Sequence, residues 1–188
     1  MNIAVLGGTF DPPHIGHYLI ARQVLEIVGD IDKLLLMPSS QHQWKPTIAS
    51  ASDRVAMLTP FCEGKIELSD IELKRTGVSY TLDTIAQLKK QVDGKIYWLI
   101  GSDILSEYDR WENKENLAQL TTFLVFPRDP YHLPETLPEG FMLVGSPDLI
   151  TTNLSSTIIR DRIKEGKSIR SLVLPETEEY IKQNQLYV

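Results

Sequence analysis

The chain has 188 residues, 42% of them hydrophobic and 23% charged, with a formal net charge of −6. This length suits one domain, and the composition sets aside intrinsic disorder, fibrous repeats and coiled coils. The acidic balance argues against a general nucleic-acid coat protein, no apolar run approaches the ~20 residues of a membrane span, and the start Met1-Asn2-Ile3-Ala4-Val5 lacks a basic leader.

Short apolar runs alternate with helical patterns along the chain. Ile3 to Leu6 reads as a buried strand ending in Gly7-Gly8, and Tyr18 to Val28 shows a helical period. Lys33 to Met37 is a second strand, stopped by Pro38. Asp53 to Phe61 reads as a helix, Lys65 to Leu68 as a strand, and Thr81 to Val92 as a helix with Leu82, Ile85, Leu88 and Val92 on one face. Ile96 to Ile100 is a strand ending in Gly101. Glu115 to Leu120 is helical, and Thr122 to Phe126 and Phe141 to Val144 are strands. The Pro-rich stretch between those two strands, Pro127 through Pro138, reads as a long surface connection. Ser156 to Glu165 is a helix closed by Gly166, and Pro175 to Gln183 a last helix with Pro at its start and acidic residues in its first turns.

This alternation predicts an α/β fold, a Rossmann-like doubly wound parallel sheet with helices on both faces. Ligands of such sheets bind beyond the carboxyl ends of the strands. Cys62 is the sole cysteine, so no internal disulfide or thiolate metal cage is expected, and a reducing, cytoplasmic setting fits.

The loop Gly7-Gly8-Thr9-Phe10-Asp11-Pro12-Pro13-His14-Ile15-Gly16-His17 joins the first strand to the first helix. Two glycines let the backbone approach a phosphate closely, and the helix beginning near Ile15 adds the positive end of its dipole. His14 and His17 are three apart and share one face at a helix start, and Gly16 between them leaves room for a bulky anion. A plain strand–turn–helix joint with a histidine cap accounts for the glycines equally well. A zinc site built on His14 and His17, with Asp11 as a further ligand, lacks other ligands nearby. No Gly-x-Ser-x-Gly element is present, and Cys62 has no evident base.

The loop resembles the signature of the nucleotidyltransferase superfamily, whose His-x-Gly-His element also occurs in class I aminoacyl-tRNA synthetases. Ser79-Tyr-Thr-Leu-Asp-Thr84, Gly101-Ser-Asp103, Trp111 and Ser155-Ser-Thr-Ile-Ile-Arg160 follow in the order and spacing of bacterial nicotinate mononucleotide adenylyltransferases, and the ending Tyr180-Ile…Leu186-Tyr187 is also similar to theirs. The resemblance implies one nucleotidyltransferase domain over residues 1–188, with the helices from about 155 completing the ATP site. It implies transfer of AMP from ATP to nicotinate mononucleotide, giving deamido-NAD and pyrophosphate. Mg²⁺ would be held mainly by the ATP phosphates.

By the same resemblance, His14 and His17 contact the ATP phosphates, with His17 nearest the α-phosphoryl. Gly7, Gly8, Thr9 and Phe10 line the phosphate site, and Gly101 and Asp103 belong to the adenosine pocket. Ser155, Ser156 and Thr157 form a second phosphate-binding turn from which Arg160 reaches the β- and γ-phosphates. The residues read alone agree in part, because Ser155 or Ser156 is a natural N-cap and a capped helix end attracts anions. A solvated arginine on a capped surface helix is the plainer alternative.

On the acceptor side the resemblance implies roles for Asp11, Lys45, Tyr80, Thr81 and Trp111. Trp111 would stack on the pyridine ring. Stacking does not separate a carboxylate from an amide, so that choice falls to the free N–H groups and dipole at the helix start near Tyr80-Thr81, which favour nicotinate. The segment Gln41-His42-Gln43-Trp44-Lys45-Pro46 departs from the Pro-Pro-His-Lys run common in the family, and Lys45 is the residue of it that matches. Trp44 is either a loop anchor or a lid residue. Arg54 stays outside the expected site, and no role is assigned to Arg128 or His132.

The chemistry suits these residues. A phosphate monoester has its second pKa at about 6 and needs no base to become a nucleophile. Charge spreading over the α-phosphoryl and the leaving pyrophosphate calls for positioning and positive donors: two imidazoles, backbone N–H groups, Lys45 and Arg160. Rival readings are an adenylyltransferase for nicotinamide mononucleotide or phosphopantetheine, a fragment related to tRNA synthetases, and a non-catalytic nucleotide-binding protein on this fold. Small-molecule substrates are expected, with no nucleic acid and no membrane partner. Self-association into a homo-oligomer stays open.

Overall fold

Residues of each apolar run point alternately to the two faces of a sheet. Ala4, Leu6, Leu34, Leu36, Tyr97, Leu99, Leu124 and Phe126 pack in one cluster with Ala21, Val24, Leu58 and Phe61. Ile3, Val5, Met37, Ile96, Trp98, Ile100, Phe123 and Val125 pack in a second cluster with Ile85, Leu88 and Leu117. Both faces are therefore covered, which is why the strands read as continuous hydrophobic runs.

The structure, a computed structural model, describes residues 1–40, 47–75, 80–105, 108, 111 and 114–188. Its strands are β1 (Ile3–Gly8), β2 (Lys33–Pro38), β3 (Ile66–Leu68), β4 (Ile96–Gly101), β5 (Thr122–Phe126) and β6 (Phe141–Leu143). They form one parallel sheet in the order β3-β2-β1-β4-β5-β6. The helices are α1 (Ile15–Ile27), α2 (Ala51–Leu58), α3 (Thr81–Lys89), α4 (Ser102–Leu105), α5 (Lys114–Leu120), α6 (Ser156–Lys164) and α7 (Pro175–Gln183). This is the doubly wound sheet expected from the sequence. The strand order reverses between β1 and β4, so the crevice for a ligand lies beyond Gly8 and Gly101.

Several elements differ from expectation: α3 ends at Lys89 rather than Val92, and the short α4 was not expected. The helix read as Asp53 to Phe61 is α2 followed by a 3₁₀ turn, Thr59–Phe61. Pro60 has no N–H for the α-helical ladder, and its ring would crowd the carbonyl four residues back. Val144 lies just past β6, although its N–H still reaches Val125 O (2.9 Å). Gly166 closes α6 as expected, with φ +67° and its N–H on Ile163 O (2.9 Å).

A third cluster, Ala49, Met57, Ile159, Ile169, Val173, Ile181 and Tyr187, packs α6 and α7 against α2. It carries the C-terminal segment of the chain back to the carboxyl end of the sheet. No helix among the described residues is long and apolar enough to cross a membrane.

Candidate active site

The first loop is tied down by its carbonyls. Ser39 N–H donates to Gly8 O (2.9 Å), Arg54 Nη1 to Thr9 O (2.7 Å), Arg160 Nη1 to Asp11 O (2.7 Å) and Ser156 Oγ to Pro12 O (2.8 Å). In a trans peptide the C=O and the following N–H point in opposite directions. Arg54 thus turns the Phe10 N–H away from itself, and Ser39 turns the Thr9 N–H away from β2. Phe10 adopts φ +50°, a left-handed conformation costing on the order of 1–2 kcal/mol in a non-glycine residue, and its buried ring lies 4.8 Å from that of His17.

His14 and His17 meet at the start of α1 with ring centroids 3.8 Å apart. The backbone N–H of His14 donates to His17 Nδ1 (3.1 Å), so the proton of a neutral His17 sits on Nε2. Burial, then the charge of Arg128, lowers the His17 pKa to about 3. Burial, then His17 and Arg128, holds His14 well below the ordinary histidine range. Both rings are therefore neutral donors. Gly16 does not leave space for an anion, as its position suggested. A Cβ there would stand 2.9 Å from His14 Nδ1 and 3.2 Å from Thr152 Cγ2, so the glycine makes room for the His14 ring itself.

The turn expected to bind a second phosphate opens α6. Ser155 is its N-cap, accepting from Ile158 N–H (3.3 Å), while Ser156 binds the first loop. Arg160 also donates to Thr157 Oγ1 (3.2 Å), which aims its guanidinium along the gap between the two turns. Neither α1 nor α6 carries an acidic residue in its first turn, whereas α2, α3 and α7 do. The start of α1 and the start of α6 thus keep their positive ends unopposed.

Gly101 and Asp103 stand across the crevice from β1. A Cβ on Gly101 would fall 2.2 Å from Asp103 Oδ1 and 2.7 Å from Arg128 Cδ. Arg128 Nη1 pairs with Asp103 Oδ2 (3.3 Å), and Arg128 Nη2 donates to Leu154 O (3.3 Å). Arg128 therefore joins the end of β4 to the turn before α6.

Asp11 does not face the crevice as a substrate-binding group. Its Oδ2 accepts from Ile48 N–H (2.6 Å), and its Oδ1 accepts from Ala49 N–H (3.1 Å) and Tyr187 Oη (2.7 Å). The carboxylate is consumed inside the protein.

Tyr80 and Thr81 begin α3, which has no side-chain cap. Asp83 lies in its first turn, and Arg75 lies against that turn, donating to the backbone Asp83 O (3.3 Å) and to Thr84 Oγ1 (2.9 Å). Trp111 is half-buried, packed edge-on against Tyr108 and Phe123 with centroids 5.7 Å away in each case. Lys45, with the rest of Gln41–Pro46, and Ser79 lie outside the described residues.

Three buried side-chain polar atoms lack a hydrogen-bond partner among the described residues: His14 Nδ1, Ser39 Oγ and Arg54 Nε. All belong to residues in or against the first loop. Such orphans are costly in a finished interior.

Residues 5–162 match the cytidylyltransferase-like family. The chain belongs to that family. Among curated relatives, a protein of Halalkalibacterium halodurans named a probable nicotinate-nucleotide adenylyltransferase is 38% identical over 99% of this chain and 91% of its own length. One of a Synechococcus strain with the same name is 39% identical over 100% of this chain and 95% of its own. The solved nicotinic acid mononucleotide adenylyltransferase of Plasmodium falciparum, complexed with NaAD, superposes with TM-score 0.84 at 22% identity, covering 99% of this chain and 97% of that one. That likeness concerns the fold.

Within this member of the cytidylyltransferase-like family, sequence reasoning passed over two arginines that build the site. Arg54 shares an apolar helix face with Met57, Leu58 and Phe61, all buried. A charge placed on such a stripe is the signal of a structural tie. Arg128 follows the carboxyl end of β5, the edge of the sheet where ligands bind.

Proposed function

We propose that this enzyme transfers AMP from ATP to nicotinate mononucleotide, giving deamido-NAD and pyrophosphate. The observation that carries the chemistry is the neutral imidazole pair at the start of α1, with His17 Nδ1 occupied and its Nε2–H left to donate. An oxygen of the mononucleotide phosphate attacks the α-phosphorus, and the bond from that phosphorus to the β-bridging oxygen breaks. Pyrophosphate leaves with the bonding electrons. His17 stabilises the charge developing on the α-phosphoryl, and the N–H groups of the first loop and of α6 hold the phosphates.

Gly101, Asp103 and Arg128 hold the adenosine end. Trp111 and the start of α3 receive the pyridine ring, and the uncapped N–H groups there, with Arg75 behind them, favour a carboxylate over a neutral amide. Magnesium would be held mainly by the ATP phosphates, where it would neutralise part of their charge. The one carboxylate of the first loop, Asp11, is taken by protein donors and is not free to ligate it. Helices from residue 155 onward complete the ATP side of the domain, and the setting is the cytoplasm.

Pyrophosphate release from Mg·ATP, measured with nicotinate mononucleotide and nicotinamide mononucleotide side by side, tests this reading. A large kcat/KM preference for the nicotinate form is expected. Equal use of both would remove the role given to α3, and release with neither would overturn adenylyl transfer to pyridine mononucleotides.

A further inference from the structure

Tyr187 sits at the end of a chain that turns back on itself to deliver it. After α7, Asn184 N–H donates to Tyr180 O (3.1 Å) and Leu186 N–H to Ile181 O (3.0 Å). Gln185 and Tyr187 both take left-handed φ, +50° and +65°, without being glycine. The product of this turn is a buried phenol, 5% exposed, beside a neighbour, Val188, that is 87% exposed. The backbone is bent to bury this one side chain.

The phenol reaches Asp11 in the first loop. Asp11 in turn gathers three separate parts of the chain: the backbone of Ile48 and Ala49 through its carboxylate, Arg160 of α6 through its carbonyl, and Tyr187. Burial and the Asp11 carboxylate raise the Tyr187 pKa, so the phenol keeps its proton and remains a donor. Arg54, 1% exposed, holds the neighbouring Thr9 carbonyl from the same side. The side chains of Asp11 and Tyr187 are both spent inside the protein, yet the backbone they fix leads directly into His14 and His17.

Resting on the adenylyl-transfer reading, we propose that Tyr187 is a positioning residue for phosphoryl transfer, which sets the first loop through the Asp11 carboxylate. The effect falls on the phosphates rather than on the acceptor's pyridine ring. Loss of the phenolic hydroxyl leaves Asp11 held by two backbone N–H groups and lets the Asp11 peptide shift relative to α1.

The test compares Tyr187→Phe with Thr177→Val. Thr177 is fully buried in the same cluster and donates to Met57 O (2.9 Å), so its loss weakens the C-terminal packing by a comparable hydrogen bond without touching the first loop. Each folded variant is measured for kcat and for calorimetric affinity toward Mg·α,β-methylene-ATP. Y187F should lower kcat about tenfold and weaken the analogue severalfold, since small misplacements of catalytic groups are costly, while KM for the mononucleotide stays near wild type. T177V should change none of these beyond its effect on Tm. Asp11→Asn provides a second route: it should show the same split, and adding Y187F to it should cost little more. Equal behaviour of Y187F and T177V, or additive losses from D11N and Y187F, would overturn the proposal. If the wild type transfers no adenylyl group to either mononucleotide, the functional reading falls, while the analogue affinities of the variants still decide the role of Tyr187.

Discussion

The two halves of the crevice are built differently. On the side proposed for the phosphates, the carbonyls of Gly8, Thr9, Asp11 and Pro12 are each held by a donor from a distant element, and Ile15 N–H is held by Leu172 O (2.9 Å). On the side proposed to take the pyridine ring, α3 starts uncapped at Tyr80, which is 44% exposed, and Trp111 presents a half-buried ring. The difference fits the chemistry of the two tasks proposed for them. Charge develops in the transition state at the α-phosphoryl, so donors there must be in place before reaction. The pyridine ring carries no developing charge, and binding it needs surface and orientation more than rigidity.

This division predicts which kinetic parameter each substitution moves. His17→Ala removes a donor aimed at developing charge and should lower kcat by about 10²–10³ with the fold retained, as judged by Tm and circular dichroism. KM for the mononucleotide should stay within a few-fold of wild type. A variant that instead raised that KM with kcat intact would erase the distinction between the halves. Gly16→Ala acts on the same side without removing a functional group. Its Cβ would press on His14 Nδ1 at 2.9 Å and on Thr152 Cγ2 at 3.2 Å, displacing a ring rather than helix backbone. A fall of roughly 10–100-fold in kcat is expected, again with little change in acceptor binding.

Much of the build of the first loop and the start of α6 was legible in the sequence because its pattern is local. Glycines at a strand end, histidines three apart at a helix start and serines before a helix are patterns within one loop. What was not legible depends on contacts between distant positions. Asp11 reads as a polar residue in a binding loop, and only the fold shows Ile48, Ala49 and Tyr187 closing around it. Gly16 reads as space for a ligand until His14 is seen to fill that space. The sheet itself was legible because continuous apolar strands separated by helical periods admit few arrangements. The end of α2 was missed because Pro60 sits inside an otherwise helical pattern.

Trp111→Ala sharpens the comparison from the other side. Loss of one stacked aromatic surface costs about 1–3 kcal/mol, so KM for nicotinate mononucleotide should rise roughly tenfold or more while kcat at saturation changes little. The ratio of nicotinate to nicotinamide use should be unchanged, because a ring face does not sense the carboxylate. Steady-state kinetics with both mononucleotides checks this. A changed ratio would place selectivity on Trp111 rather than on the start of α3.

The smallest effect concerns pH. The folded-state pKa of His17 is lowered from 6.5 to about 3, and that of His14 is lowered in the same direction. The unfolded chain takes up these protons below pH 6.5, while the native state refuses them until near pH 3. Unfolding therefore binds protons across that window, and stability is present above pH 6.5 and lost progressively as pH falls toward 3. The carboxylates whose pKa values are lowered, Asp30, Asp53 and Glu165, add their own loss only nearer their ordinary values of 3.8 to 4.5. Between pH 6.5 and 5 the histidines dominate, and His17→Gln should show a shallower fall of Tm with acid than wild type. Activity should respond differently. Because both imidazoles act neutral, the acid limb of kcat/KM should follow the mononucleotide phosphate, whose second pKa is about 6, and should survive in His17→Gln at its lower rate. If that limb vanished in the variant, an imidazolium would be part of the reaction, and the bond from His14 N–H to His17 Nδ1 would have to break during turnover.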